Sequence, residues 1–218
     1  MGILYLASVG TSILRNFAED RDYASIVAAH EHYGIRDWWR LGVEDLRNSY
    51  PDGLLCQVFK DDSFRSLAVG LESFVDQKPK ASSAELNTIY SLMEKRGHRP
   101  GDIEVKLLST RTCNAVLSAT LIKRHMERAG FRGVEIEVLG EISAAADFPR
   151  LLIELKDTVG GIVRNHKDKG DQVYVIATAG YKPESAALAI TALIHGADEV
   201  AYMHEAFKEV VTIPREIL

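Results

Sequence analysis

Four short apolar runs, each followed by a helix-like segment, constrain this chain more than any other feature of its sequence. They are Ile3–Val9, Ile103–Leu108, Val134–Leu139 and Gln172–Ile176. Runs of this length, rich in valine and isoleucine, read as strands buried in a sheet. The segments after them read as helices. The first begins near Ile13-Leu14, and the second covers Thr112 to Ala129 and stops at Gly130. Phe148 to His166 is a long third helix, and Ala186 to His195 a fourth that Gly196 closes. Such alternation specifies an α/β fold with a mostly parallel sheet and helices on both faces. Two further strands, Glu199–His204 and Glu209–Ile213, are joined by about four residues. That is too short for a parallel crossover, so they are expected to form a C-terminal antiparallel β-hairpin.

Between the first two strands the pattern changes. About residues 15–100 carry helix signals and no strand of core quality, apart from a short candidate at Leu54–Phe59. Asp61-Asp62-Ser63 precedes Phe64, Leu67, Leu71 and Phe74, spaced for one apolar face. Ser82-Ser83-Ala84-Glu85 reads as a capping box before Leu86, Ile89, Tyr90 and Met93, with Gly97 as the stop. Trp38-Trp39 with Leu41, Val43 and Leu46 suggests another helix. No flexible linker bounds this stretch, so residues 1–218 read as one Rossmann-like domain with a helical insertion between strands one and two.

The bulk numbers narrow the function class. A net charge of −5 argues against a surface built to hold long nucleic acid. No apolar run approaches the ~20 residues a membrane span needs, and Met1-Gly2-Ile3-Leu4-Tyr5 has no basic leader, so a cytoplasmic protein away from membranes is expected. Cys56 and Cys113 are too few and too isolated to suggest a zinc site or a disulfide framework. The seven histidines are scattered, and His30 and His32, two apart on one expected helix, would not share a face. No metal or other cofactor is expected.

In the common doubly wound order the first and fourth strands are neighbours and the second lies beyond the first. Three turns then meet at the switch point: Gly10-Thr11-Ser12, Thr110-Arg111-Thr112 and Ala177-Thr178-Ala179-Gly180-Tyr181-Lys182. Ser12 or Thr11 is expected to cap the first helix. In the third turn Pro183 suits a first helical position, Glu184 suits the positive helix start, and small residues let backbone approach a ligand. Helix N–H groups, a dipole end and a lysine make an anion site. An ordinary βα turn with a solvated lysine would look the same locally, and it is the convergence of three turns that favours a ligand. The Gly-x-Gly-x-x-Gly pattern, the P-loop and the Gly-x-Ser-x-Gly elbow are all absent. Asp102 with Glu104-Val105-Lys106 only weakly resembles a metal-dependent nuclease core.

Val9-Gly10-Thr11-Ser12, Ser109-Thr110-Arg111-Thr112 and Ala177-Thr178-Ala179-Gly180-Tyr181-Lys182-Pro183-Glu184 together resemble the CARF domain, the CRISPR-associated Rossmann fold. The closing Tyr202-Met203-His204-Glu205 and Thr212-Ile213-Pro214 are similar to that family's final hairpin. The resemblance implies a homodimer that binds cyclic oligoadenylate across its two-fold axis. No arginine here is followed by histidine after four to six residues, as a HEPN ribonuclease would require. The chain is therefore similar to stand-alone ring nucleases, which cleave the messenger without a metal. On that resemblance Lys182, Ser12 and Arg111 are the expected catalytic residues. Gly10, Thr11, Thr110, Thr112, Thr178, Ala179, Gly180 and Tyr181 would line the ligand. Some ring nucleases carry a basic pair after strand two; here Thr112 takes the second place. A non-catalytic sensor would use the same pocket, a tetra- or hexa-adenylate ring would satisfy the same symmetry, and the insertion could serve as lid or as dimer packing.

Overall fold

In the computed structural model, which describes residues 2–140, 148–178, 182–204 and 209–217, six strands form one sheet. They are β1 (Ile3–Ser8), β2 (Ile103–Ser109), β3 (Gly133–Val138), β4 (Gln172–Ile176), β5 (Glu199–His204) and β6 (Glu209–Pro214). Their order is β3-β2-β1-β4-β5-β6, parallel throughout except for β6, which returns antiparallel beside β5. This is the expected Rossmann-like arrangement, hairpin included. The helices are α1 (Ser12–Glu19), α2 (Ala24–Ala29), α3 (Arg65–Gln77), α4 (Pro79–Ser82), α5 (Ala84–Arg96), α6 (Cys113–Arg128), α7 (Phe148–Asp168) and α8 (Lys182–Ile194).

The strands are apolar on both faces because helices cover both. Tyr5, Ala7 and Val9 join Val105, Leu107, Tyr174 and Ile176 in a core completed by Phe17 of α1, Phe74 of α3, Leu86 of α5 and Leu117 of α6. Leu4 and Leu6 point the other way, joining Val173, Val175 and Val200 under Leu155 of α7 and Leu188 of α8. Leu4 through Ala7 are wholly buried. At about 1.5–3 kcal/mol for each large apolar side chain, β1 is the strand the sheet can least afford to disturb.

The insertion folds against the first of these faces, and much of it is tighter than an α-helix. The candidate strand at Leu54–Phe59 is instead a 3-10 turn, Leu54–Gln57. The helix expected around Trp38-Trp39 is a 3-10 segment, Ile35–Arg40, followed by a separate turn at Leu46–Asn48. Side chains explain the break. Buried Asn48 donates to the carbonyls of Leu41 and Gly42 at 2.9 and 3.1 Å, taking acceptors that a continuing helix would have used. His30 ends α2 and His32 lies in the next turn, so their rings stack with centroids 6.5 Å apart, contrary to the expectation that they point apart. Cys56 and Cys113 correct a second expectation, for they form a disulfide that pins the insertion to the start of α6.

α5 ends at its expected stop, but its start departs from the expected capping box: the N-cap is Ser83, two residues before Glu85 rather than three. Ser83 Oγ accepts from the Leu86 amide at 3.2 Å, and Gly97, at φ 68°, ends the helix in the left-handed region. It is held to its neighbours along its length. Tyr90 hydroxyl meets His125 Nε2 at 2.8 Å, whose Nδ1 meets Asp76 of α3 at 2.7 Å, and Arg96 pairs with Glu199 of β5.

Below the sheet centre, Tyr5 hydroxyl lies 2.8 Å from His98 Nδ1, with both rings packed on Tyr174. Burial raises the Tyr5 phenol's pKa, so the hydroxyl stays protonated and shares a hydrogen bond with the imidazole. Burial, with the nearby Arg96 cation, also pushes His98 below its ordinary pKa, against a smaller opposing pull from Asp102 and Glu199. The unfolded chain then binds this proton more readily than the folded one. Its contribution to stability is complete above about pH 6.5, the ordinary histidine value, and declines as the pH falls from there. His98→Asn is expected to flatten the fall in melting temperature between pH 7.5 and 5.5; an unchanged slope would show that other groups cause it.

Candidate functional site

The chain leaves β1 in one direction along the sheet and β4 in the other, so the switch point lies at the C-terminal ends of these two neighbours. Ladder bonds continue one residue past the strands. Val9 N–H donates to Leu108 O at 2.9 Å, Leu139 N–H to Ser109 O at 2.8 Å and Ala177 N–H to Ala201 O at 3.0 Å. The starts of the βα turns are thereby fixed. A small cavity of about 20 Å³ lies where they meet, lined among others by Ser8, Val9, Thr110, Leu139, Glu184 and Leu188. It has room for about one water, so a larger ligand would have to lie outside it, beyond the C-terminal ends of the strands.

The first turn is already engaged by the insertion. Gly10 N–H donates to Glu85 Oε1 at 2.5 Å, and Thr11 Oγ1 donates to Trp39 O at 2.7 Å. Ser12 Oγ accepts from the Ala84 amide at 3.4 Å. Thr11 holds the N-cap position of α1 but makes no capping bond, so the expected hydroxyl cap is absent for both residues. Both hydroxyls are instead engaged by main-chain groups of the insertion. Ser12 keeps its own proton, because it is the acceptor in its bond to Ala84.

The turn after β2 is held by the middle of the insertion. Thr112 pairs with Ser49 in an isolated bridge, and the Arg111 guanidinium sits 5.7 Å over the Tyr50 ring. Thr112 Oγ1 donates to Asn114 Oδ1 at 2.8 Å and stands 3.4 Å from Thr110 Oγ1. Asn114 is buried, and its amide donates to Asn48 Oδ1 at 2.7 Å. Arg111 is exposed and has no salt bridge among the described residues, which leaves its guanidinium donors accessible beside the Tyr50 ring.

On the third wall, Thr178 Oγ1 lies 2.8 Å from Thr88 Oγ1 of α5. Lys182 begins α8, with Glu184 buried in its first turn. Ala179, Gly180 and Tyr181, and the side chain of Lys182, lie outside the described residues. The structure thus brings Gly10, Thr11, Ser12, Thr110 and Thr178 to one end of the sheet, with Arg111 on the rim.

Three residues escaped sequence reading, and a fourth was given another role. Arg15 lies one helical turn beyond Ser12, its guanidinium 5.7 Å over Trp39; the Ser12/Arg15 spacing was the available signal. Asn48 and Asn114 carried none, being 66 residues apart. Glu85 had been read as a capping-box member, but its carboxyl bridges Gly10 N–H and Ser83 Oγ instead. Among the described residues no group of three or more His, Cys, Asp or Glu is placed to hold a metal ion, and no helix is long and apolar enough to cross a membrane.

Residues 80–216 match the model of a family described as CRISPR-associated protein (Cas_APE2256). The match takes in α5 and the turns after β2 and β4, and begins downstream of the turn after β1.

Proposed function

This chain belongs to the Cas_APE2256 family of CRISPR-associated proteins, and from that premise we propose that it binds and cleaves a cyclic oligoadenylate, most simply cyclic tetra-adenylate, at the β1/β4 switch point of a homodimer. The observation that carries this is the convergence of three βα turns on one crevice, with Ser12 offering a hydroxyl proton and Arg111 a stacked cation at the rim. The resemblance of these turns to the CARF domain supplies the ligand class.

Chemically the substrate brings its own nucleophile. A ribose 2′-oxygen attacks the adjacent phosphorus, forming a 2′,3′-cyclic phosphate while the bond to the 5′-oxygen breaks. The 2′-hydroxyl proton is lost and the 5′-oxygen gains one. The protein aligns the attack and stabilises the charge gathering on the phosphoryl oxygens. Ser12 would orient the 2′-hydroxyl, Lys182 at the start of α8 would meet the developing charge, and Arg111 would hold the phosphate or leaving group through its planar fork. Such cleavage would end signalling by the ring.

A second reading is a sensor that holds the ring uncut in the same pocket. Incubation with labelled cyclic tetra-adenylate in EDTA separates the two. Linear products ending in 2′,3′-cyclic phosphate support cleavage. A tightly bound, intact ring supports the sensor, and absence of binding removes both.

For the two-fold assembly, support comes from α8. Ile190 and Ile194, four residues apart on one face, are 58% and 62% exposed on the helix that starts at the crevice. Ile190→Glu with Ile194→Glu is expected to leave a folded monomer in sedimentation; a dimer retained by the double variant would place the contact elsewhere.

A further inference from the structure

We infer that α5, through Glu85 and Thr88, is the positioning strut of the crevice, holding the turn after β1 and the turn after β4 at a set separation. For its catalytic consequence this rests on the ring-cleavage reading above; its structural part stands without it.

Glu85 and Thr88 are three residues apart, so they project from one side of the helix. Glu85 reaches Gly10 N–H at 2.5 Å, and Thr88 Oγ1 reaches Thr178 Oγ1 at 2.8 Å. The helix's first amide, Ala84, donates to Ser12 Oγ. One helical turn therefore contacts both walls of the switch point. Burial makes the contacts consequential: Glu85 is 1% exposed and Thr88 wholly buried. Glu85 has no salt bridge among the described residues. Its carboxyl is held by Gly10 N–H on one oxygen and Ser83 hydroxyl on the other. A carboxyl group in such a place is costly to bury, and a capping box does not need it there, since Ser83 already serves the Leu86 amide. What Glu85 does that a smaller residue could not is span from the insertion to the Gly10 backbone.

The strut is also anchored away from the crevice. Tyr90 is bonded to His125, Lys95 Nζ donates to Val210 O at 3.3 Å, and Arg96 pairs with Glu199. Leu86, Ile89 and Leu92 are fully buried against the sheet. A helix so fixed cannot let one wall move without straining its hold on the other. Neither Glu85 nor Thr88 is assigned contact with the ligand; both act through Gly10–Ser12 and Thr178.

The test measures hydrogen exchange and single-turnover cleavage of cyclic tetra-adenylate in wild type and in Glu85→Ala, Glu85→Gln, Thr88→Val and Thr88→Ser. Glu85→Ala strips the Gly10 amide of its acceptor, whereas the glutamine variant keeps an oxygen in reach. Expected results are Gly10 exchange at least ~10-fold faster in Glu85→Ala and a cleavage rate reduced about 10–100-fold with KM little changed. Glu85→Gln is expected to restore both to within about threefold of wild type. Thr88→Val should lower the cleavage rate in the same way, and Thr88→Ser should recover it. Unchanged Gly10 exchange in a folded Glu85→Ala protein would overturn the strut. Faster exchange with an unchanged cleavage rate would overturn its role in the reaction. If Glu85→Ala does not fold, the Thr88 pair decides on the same criteria, with exchange read at Thr178. If wild type neither binds nor cuts the ring, the ring-cleavage reading falls, while the exchange measurements still judge the strut.

Discussion

Lys182→Ala is expected to slow single-turnover cleavage of cyclic tetra-adenylate by about 100-fold or more, the scale seen when one donor to a developing oxyanion is removed. Two features of its position argue for an effect that large. Lys182 is the first residue of α8, where helix N–H groups and the dipole already favour negative charge. It also stands on the β4 side of the switch point, opposite Ser12 on the β1 side. A cation there acts on charge that grows during attack on phosphorus, so the loss should fall on the chemical step more than on binding. Lys182→Arg, which keeps the charge but changes its geometry, should retain part of the rate. Equal single-turnover rates for wild type and Lys182→Ala would mean that another cation does this work, with Arg111 and Arg15 the next to test.

The second large effect concerns stability. Cys56 and Cys113 close a loop of sequence separation 57, and cross-linking a loop of that length is worth about 4 kcal/mol by its effect on the unfolded chain. Cys56→Ala with Cys113→Ala is therefore expected to lower the melting temperature by roughly 8–16 °C for a chain of this size. Reductant should bring wild type toward the same value. The loss should be felt at the crevice too. The disulfide lies directly behind the turn in which Thr112 pairs with Ser49 and Arg111 stacks on Tyr50. If oxidised and reduced wild type melt together, the bond contributes nothing to stability and the Asn48–Asn114 contacts alone hold this corner.

The sites that sequence reasoning named and the groups that the fold leaves for a ligand differ in an instructive way. Thr11 and Thr178 were read as ligand contacts, yet their hydroxyls are bonded to Trp39 and Thr88. A hydroxyl beside a phosphate-friendly turn looks the same in sequence whether it faces a ligand or a neighbouring helix. Arg111 is exposed over an aromatic ring, and Ser12 accepts rather than donates in its bond to Ala84, so both have donors to offer. Tests of ring binding should weight these two above the threonines.

What the sequence determined by itself was the sheet and its switch point. Burial on both faces writes continuous apolar runs such as Leu4–Ala7 and Val173–Ile176, helical burial writes a 3.6-residue period, and short connections dictate which strands can be parallel. All of that is local and periodic. The stop at Gly97 was legible for the same reason, whereas the capping box expected at Ser82–Glu85 gave way to a cap at Ser83. Only the tertiary structure decided which partners these elements take. The Glu85 carboxyl turns to Gly10, Cys56 meets Cys113, Asn48 meets Asn114, and around Trp38 the carbonyls of Trp38, Trp39 and Leu41 are taken by Asn114 and Thr11. Each of these joins residues dozens of positions apart, and a pairing between two distant polar groups leaves no period for a sequence to show.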